Sequence, residues 1–249
     1  MFCQHHDIAH QRNGFDLTPE KLAQWYLKLQ DVGHAHNINL VTPEHVVPQV
    51  VLSILHARDL GLNLPIIYNT SSFDSLASLE LLNGLVDIYL PDFKVWKDSS
   101  SIRLLKASNY TKTAMESIQA MHRQVGDLCF APNGLAKRGV LVRHLLMPGK
   151  EDEGQAIVRW LAENVSQDLY INIMEQYHPD AHVGKPKRTS PLRPTSSEPT
   201  ARDDTDSGSR YEDINRSVRA DEAMSVRQAA EQAGLWRFCD VAEHGGYNI

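Results

Sequence analysis

Cysteine is scarce in this chain: three residues, Cys3, Cys129 and Cys239, in 249. They are too few and too scattered for a disulfide framework, and they point to a reducing compartment. Long apolar runs are lacking as well. No stretch approaches the ~18 consecutive apolar residues that span a bilayer, so no membrane partner is expected. Positive charge is not in excess, since 25 Lys and Arg against 31 Asp and Glu leave a net charge of −6. That argues against nucleic acid as the main partner, because binding it relies on basic residues displacing counterions from phosphates. The start, Met1-Phe2-Cys3, has neither the basic beginning nor the apolar centre of a signal peptide, and a cytoplasmic location is expected. What remains, 42% hydrophobic and 22% charged, suits a globular protein with a sizeable core.

Functional loops normally sit between elements of a scaffold. Here a cysteine, two histidines and an aspartate crowd the first seven residues, so the start of the domain is expected to lie upstream of Met1. A helix follows over 16–33. Thr18 is a suitable N-cap, Pro19 suits the first helical position and Glu20 the positive helix end. Leu22, Trp25, Tyr26, Leu29 and Val32 recur at helical spacing, and Gly33 ends the run. Further along, strands are read at 37–42, 65–69, 86–90, 139–146 and 170–174. Helical patterns over 48–59, 76–84, 99–107, 111–125 and 152–163 separate them. Such alternation implies parallel strands with crossover helices packed outside. The fold class is α/β, either an open doubly wound sheet or all or part of a barrel.

From 183 to 210 the chain is built of Pro, Ser, Thr, Lys, Arg and Asp with almost no apolar residue. Such a segment cannot bury enough surface to offset its ordering entropy. The expected organisation is therefore a barrel domain over 1–182, a disordered insertion over 183–210, and a helix near 220–233 with a short tail, in 211–249, packing on the barrel.

In parallel α/β folds, ligands sit beyond the carboxyl ends of the strands. The residues that follow the five strands are Thr42-Pro43-Glu44-His45, Asn69-Thr70-Ser71-Ser72, Pro91-Asp92-Phe93-Lys94, Arg143-His144 with Met147-Pro148-Gly149, and Glu175-Gln176-Tyr177-His178. All five ends are polar while the strand bodies are apolar, as one pocket at one end of the sheet requires. Thr42, Ser71 and Ser72 also suit ordinary helix caps. Asp92 and Lys94 stand two apart on an extended segment and so point the same way. As a mere surface ion pair they would be worth at most ~1 kcal/mol, and a shared site is the favoured reading. His5 and His6 lack metal-ligand spacing, and the 12 histidines form no H-x-E-x-H constellation.

Several blocks together resemble the radical S-adenosylmethionine (radical SAM) superfamily, in the branch related to pyruvate formate-lyase activating enzyme. They are Phe2-Cys3-Gln4, Gly14 to Glu20, Asn37 to His45, Ile88-Tyr89-Leu90-Pro91-Asp92-Phe93-Lys94, Met121 to Asp127, Lys137-Arg138-Gly139 with Val142-Arg143-His144, Asn172 to Tyr177, and Ile214-Asn215-Arg216. The resemblance implies a partial parallel (β/α)6 barrel, a [4Fe–4S] cluster held by the thiolates of a C-x3-C-x2-C motif, and reductive cleavage of S-adenosylmethionine to a 5′-deoxyadenosyl radical. Thiolates are the usual ligands of such clusters. Cys3 aligns with the third cysteine and is the one implied metal ligand. The other two, with the first barrel strand, would precede Met1.

The same resemblance implies cofactor-binding residues. Thr42 and Glu44 lie where relatives have a turn ending in a Glu that meets the methionine amino group. Asn69 and Ser71 lie in a turn near the cofactor, and Asp92 and Lys94 match a D-x-K that faces the methionine moiety. Arg143 and His144 match the fifth family strand. A protein substrate of the glycyl-radical-enzyme kind and an electron donor are the implied partners, and a monomer is expected. With two thiolates missing, the chain as written is expected to be inactive. One rival reading is a degenerate, non-catalytic barrel acting as a binding protein. Another is a metal-free lyase with Lys94 as a Schiff base, which needs an apolar pocket; Asp92 two residues away argues against one.

Overall fold

The computed structural model describes residues 14–179, 181–185 and 210–239. Cys3, His5, His6 and most of the expected insertion lie outside the described residues. Helix α1 (Pro19–Asp31) begins as its sequence directs, with the Thr18 hydroxyl accepting from Lys21 N and Pro19 in the first turn. Strand β1 (Ile38–Val41) leads through a 3-10 turn (Glu44–Val46) into α2 (Val47–Asp59). Then come β2 (Ile66–Thr70), α3 (Leu76–Leu82) and β3 (Ile88–Pro91). A single helical turn (Asp98–Ser100) runs into a π-helical one (Ser101–Leu105), and α4 (Tyr110–Val125) follows. A short β4 (Cys129–Phe130) precedes the long β5 (Ala136–Leu145), α5 (Glu151–Asn164), β6 (Tyr170–Met174), α6 (Ala220–Gln232) and β7 (Arg237–Phe238).

The sheet order is β1-β2-β3-β5-β6-β7, every neighbour parallel, with β4 antiparallel on β5. The five expected strands are all present and all parallel. β4 and β7 were not anticipated, because two residues carry no readable period. The sheet does not close on itself: β1 and β7 are its free edges among the described residues.

Each strand separates its neighbours onto two faces. In β2, Ile66, Tyr68 and Thr70 are buried, while Ile67 and Asn69 are half-buried. The first set belongs to the core under the helices. There Tyr68 meets Tyr89 edge-on, ring centroids 5.8 Å apart, and Phe93 meets Trp160 the same way at 5.9 Å. Burying a side chain the size of Phe93 is worth about 2–3 kcal/mol. The second set points to the opposite face of the sheet. Gly139 sets where β5 enters the sheet. Its φ is +125°, and a Cβ there would stand 2.4 Å from the Asp127 carbonyl oxygen, so only glycine lets residues 127–128 cross so closely.

The ends of the expected insertion meet each other. Gly184 N donates to Arg210 O at 2.9 Å and Arg210 N donates to Lys185 O at 3.0 Å, with Val183 buried beside them. The chain therefore leaves and returns to the domain at one point, and residues 186–209 lie outside the described set. Among the described residues no helix is long and apolar enough to cross a membrane.

Candidate functional site at the carboxyl edge of the sheet

Because the strands are parallel, their carboxyl ends share one edge. Asp92 extends β3 by one residue and bridges to Arg143 of β5. Arg143 Nε donates to Asp92 Oδ1 at 2.8 Å, and its Nη2 reaches the Asn69 Oδ1 of β2 at 2.7 Å. Lys94 Nζ donates to Asp92 Oδ2. These charged side chains are mostly covered, at 14% exposure for Asp92, 18% for Lys94 and 24% for Arg143, so they interact in a medium far less polar than water. Lys94 is thus held in a polar ion-pair cluster, not the apolar pocket that a Schiff-base lysine needs.

The backbone under this cluster is tied down on several sides. Asp92 N donates to Thr70 O, and Phe93 N donates to Arg143 O, both at 2.9 Å. His144 Nδ1 donates to Phe93 O at 2.7 Å. The Tyr110 hydroxyl donates to Asp92 O at 2.9 Å and accepts from Lys94 N at 3.0 Å. Burial raises the Tyr110 phenol far above its ordinary range, so it stays a neutral donor. Glu153, buried on α5, accepts from Trp96 N and Lys97 N at 2.9 Å each and from the Ser100 hydroxyl at 2.5 Å. His144 points to the helix side, away from Arg143. Burial lowers its pKa, and its Nε2 has no partner and lies where a Cβ on Gly154 would stand 2.8 Å away. It acts as a neutral strut for Phe93 and does not face the cluster.

A second polar group adjoins the first. Glu44, in the turn after β1, directs Oε1 at the end of β2. There it accepts from the Thr70 hydroxyl at 2.8 Å, Ser71 N at 3.0 Å and the Ser71 hydroxyl at 2.9 Å. Asn69, Thr70 and Ser71 are consecutive, so Arg143 and Glu44 meet β2 within one residue of each other. Thr42 enters only through its backbone. Its N donates to Asn69 O at 2.7 Å, and its φ of +55° is rare for a β-branched residue. It caps no helix, and neither does Ser71 or Ser72, since Ser75 caps α3.

The structure thus brings Asn69, Ser71, Asp92, Lys94 and Glu44 to one edge, adds Thr42 by its backbone, and adds Arg143. Cys3 lies outside the described residues. Thr70, one of the polar strand-end residues, supports the site, as do Asp74, Tyr110 and Glu153, which no sequence pattern points to. Glu153 is one of three acidic residues in the first turn of its helix, an ordinary helix-start signature that conceals its second role.

Chemically, the edge offers a carboxylate beside two cations. Glu44 Oε2 carries no hydrogen bond among the described residues, and Lys94 has one partner for three N–H donors. An α-amino acid moiety matches this pattern, its ammonium toward Glu44 and its carboxylate toward Lys94 and Arg143. A cluster ligand set is not supplied by the described residues, in which no group of three His, Cys, Asp or Glu could hold a metal ion. Cys129 sits opposite Arg138 near the amino end of β5, and Cys239 N pairs with Ile171 O; neither is at the carboxyl edge.

No family model matches the chain. It is similar to an uncharacterized protein of Methanocaldococcus jannaschii, with 26% identity over 250 residues and 94% of this chain covered. The chain spans 59% of that relative's length. Among solved structures it is similar to a domain of pyruvate-formate lyase-activating enzyme from Bacteroides vulgatus. The TM-score is 0.53 at 10% identity, over 82% of this chain and 98% of that one. At that identity the likeness is one of fold: an α/β domain with a parallel sheet, shared with the activating-enzyme domain.

Proposed function

We propose that the chain is a domain of the radical SAM superfamily, in the branch related to pyruvate formate-lyase activating enzyme, and that its carboxyl edge binds the amino-acid end of S-adenosylmethionine. The observation that carries this reading is the joined cluster of Asn69, Asp92, Lys94 and Arg143 beside Glu44. The fold likeness to the activating-enzyme domain supports it. In this reading Glu44 takes the ammonium, Lys94 and Arg143 take the carboxylate, and Asp92 aligns the two cations. With a [4Fe–4S] cluster bound, the superfamily's chemistry is reductive cleavage of S-adenosylmethionine. For this chain the cluster thiolates belong outside the described residues, Cys3 among them, and a protein substrate and an electron donor are the proposed partners.

Titration calorimetry with S-adenosylmethionine under anaerobic conditions tests the binding claim. Binding that weakens at least ~10-fold in Asp92→Ala is expected, since a mostly covered charge-assisted pair is lost. No binding to the parent chain would sink the reading. Reconstitution with iron and sulfide, reduction, and chromatography for 5′-deoxyadenosine test the chemistry. Cleavage is expected only of a form that carries all three thiolates, since this chain offers Cys3 alone of them, and binding without cleavage in that form would favour the second reading, a barrel that binds the molecule and does no chemistry.

A further inference from the structure

Behind Glu44, on the helix side of β2, the hydrogen atoms do not add up unless one carboxyl group is protonated. The Thr70 hydroxyl has one hydrogen and two lone pairs. Ser72 N donates to it at 3.1 Å and takes one lone pair. Two carboxyl oxygens also contact it, Asp74 Oδ2 at 2.5 Å and Glu44 Oε1 at 2.8 Å. One hydrogen cannot serve both, and two bare anionic oxygens cannot share the contact. Glu44 Oε1 already accepts from Ser71 N and the Ser71 hydroxyl, which marks it as an acceptor. Asp74 is 3% exposed, and its other oxygen accepts from the Tyr68 hydroxyl at 2.7 Å. The arrangement that leaves Glu44 Oε1 purely an acceptor is a chain: Asp74 Oδ2–H donates to Thr70, and Thr70 donates to Glu44.

We propose that Asp74 is a positioning residue for Glu44: its carboxyl proton, relayed through Thr70, holds Glu44 Oε1 and turns Oε2 toward the bound ligand, and loss of that proton releases the hold. The inference rests on the reading of Glu44 as the ammonium-facing group. The groups that act on Asp74 are Tyr68 and Thr70 of β2 and Glu44 of the turn after β1, and no Lys, Arg or His is among them; Tyr89 of β3 feels its charge in turn. Burial, aided by the Glu44 charge, pushes Asp74 up to about 6 from 3.8. When Asp74 ionises, the Thr70 hydrogen turns to it, because the nearer oxygen is then an anion. Glu44 keeps only its Ser71 donors.

The first test needs no ligand. The full chain is labelled with carbon-13 at the aspartate carboxyls, and the signal missing from Asp74→Asn identifies Asp74. It is expected to titrate ~2 pH units above an ordinary aspartate, and Glu44→Gln is expected to lower that midpoint by removing the competing anion. A midpoint in the ordinary range, or one that Glu44→Gln does not move, overturns the proposal. The second test is S-adenosylmethionine affinity against pH. In the parent chain it should fall about 3- to 10-fold as pH rises through the Asp74 midpoint, the scale of one ordinary hydrogen bond. In Asp74→Asn, whose amide keeps the donor toward Thr70, that decline should vanish and binding at pH 8 should exceed the parent's. A parallel decline in both proteins overturns the positioning role. If Asp74 titrates and couples as stated but the parent chain binds no S-adenosylmethionine, the functional reading fails and the claim that Asp74 positions Glu44 for a ligand fails with it, while the proton chain itself stands.

Discussion

At the amino edge of the sheet, a cavity of about 440 Å³ is lined by His36, Arg58, Asp87, Lys137 and Arg138 among others. At the carboxyl edge, Asp92, Lys94 and Arg143 form one cluster, and Glu44 bonds to the end of the neighbouring β2. Both edges are rich in charge, yet they spend it differently. At the amino edge Arg58 and Asp87 form one ion pair at 3.4 Å, and the charged groups chiefly tie off main-chain atoms. Arg58 donates to Leu62 O, Asp87 accepts from Ile66 N, and Arg138 donates to Gln124 O. At the carboxyl edge Asp92, Lys94 and Arg143 bond to one another, Glu44 holds the end of β2, and separate residues, Tyr110 and Glu153, secure the backbone beneath the cluster. The cavity at the amino edge is therefore not the better candidate site. Convergent, mutually oriented charges with donors and acceptors to spare are what a ligand can use, and a parallel sheet collects them at its carboxyl end.

The sharpest way to break this comparison is to remove the buried support of the carboxyl edge. Glu153→Ala strands two backbone N–H groups and a serine hydroxyl, and should cost about 3 kcal/mol or more in urea unfolding. If Glu153 costs no more than Asp87→Ala at the amino edge, expected at about 1–2 kcal/mol, the two edges are not built differently. Next in size is ligand affinity: Asp92→Ala should abolish most S-adenosylmethionine binding, while Asp87→Ala should leave it within about twofold, because Asp87 serves the fold alone.

Acid unfolding sharpens the comparison on a finer scale. Hydrogen bonds from Arg216, Arg219 N and Gly149 N hold the buried Glu222 carboxylate down at about 2, from 4.5. Its stabilisation is present above 4.5 and is lost as pH falls through that lowered value. Asp74 runs the other way. Its raised value favours the native state below 3.8, and that contribution is lost as pH rises through about 6. Stability of Glu222→Gln should therefore depend less on pH than the parent's between 4.5 and 2, and that of Asp74→Asn less between 4 and 6, by thermal melts. The smallest expected effect is a gain. Ser72 has a φ of +64° and a buried hydroxyl with no partner, so Ser72→Gly should raise stability by about 0.5–1 kcal/mol. A loss would mean that the extra freedom glycine gives the unfolded chain outweighs the relief at this backbone position.

The sequence by itself determined the architecture. Five apolar runs separated by amphipathic helices leave little choice but parallel strands, and a parallel sheet gathers Thr42, Asn69, Asp92 and Arg143 at one edge. Thr18, Pro19 and Gly33 likewise place the first helix to within a few residues, because caps act locally. Periodicity tells which face a residue takes, but not which distant residue stands beside it. Only the tertiary structure decided that Arg143 serves Asp92 and Asn69, 51 and 74 positions away, and that Glu153 reaches across 57 to hold the loop after β3. The same holds for the proton chain from Asp74 to Glu44, which joins two strand ends through a threonine that reads as an ordinary strand residue. Pairing across strands depends on register and on the packing of crossover helices, and those are properties of the assembled sheet.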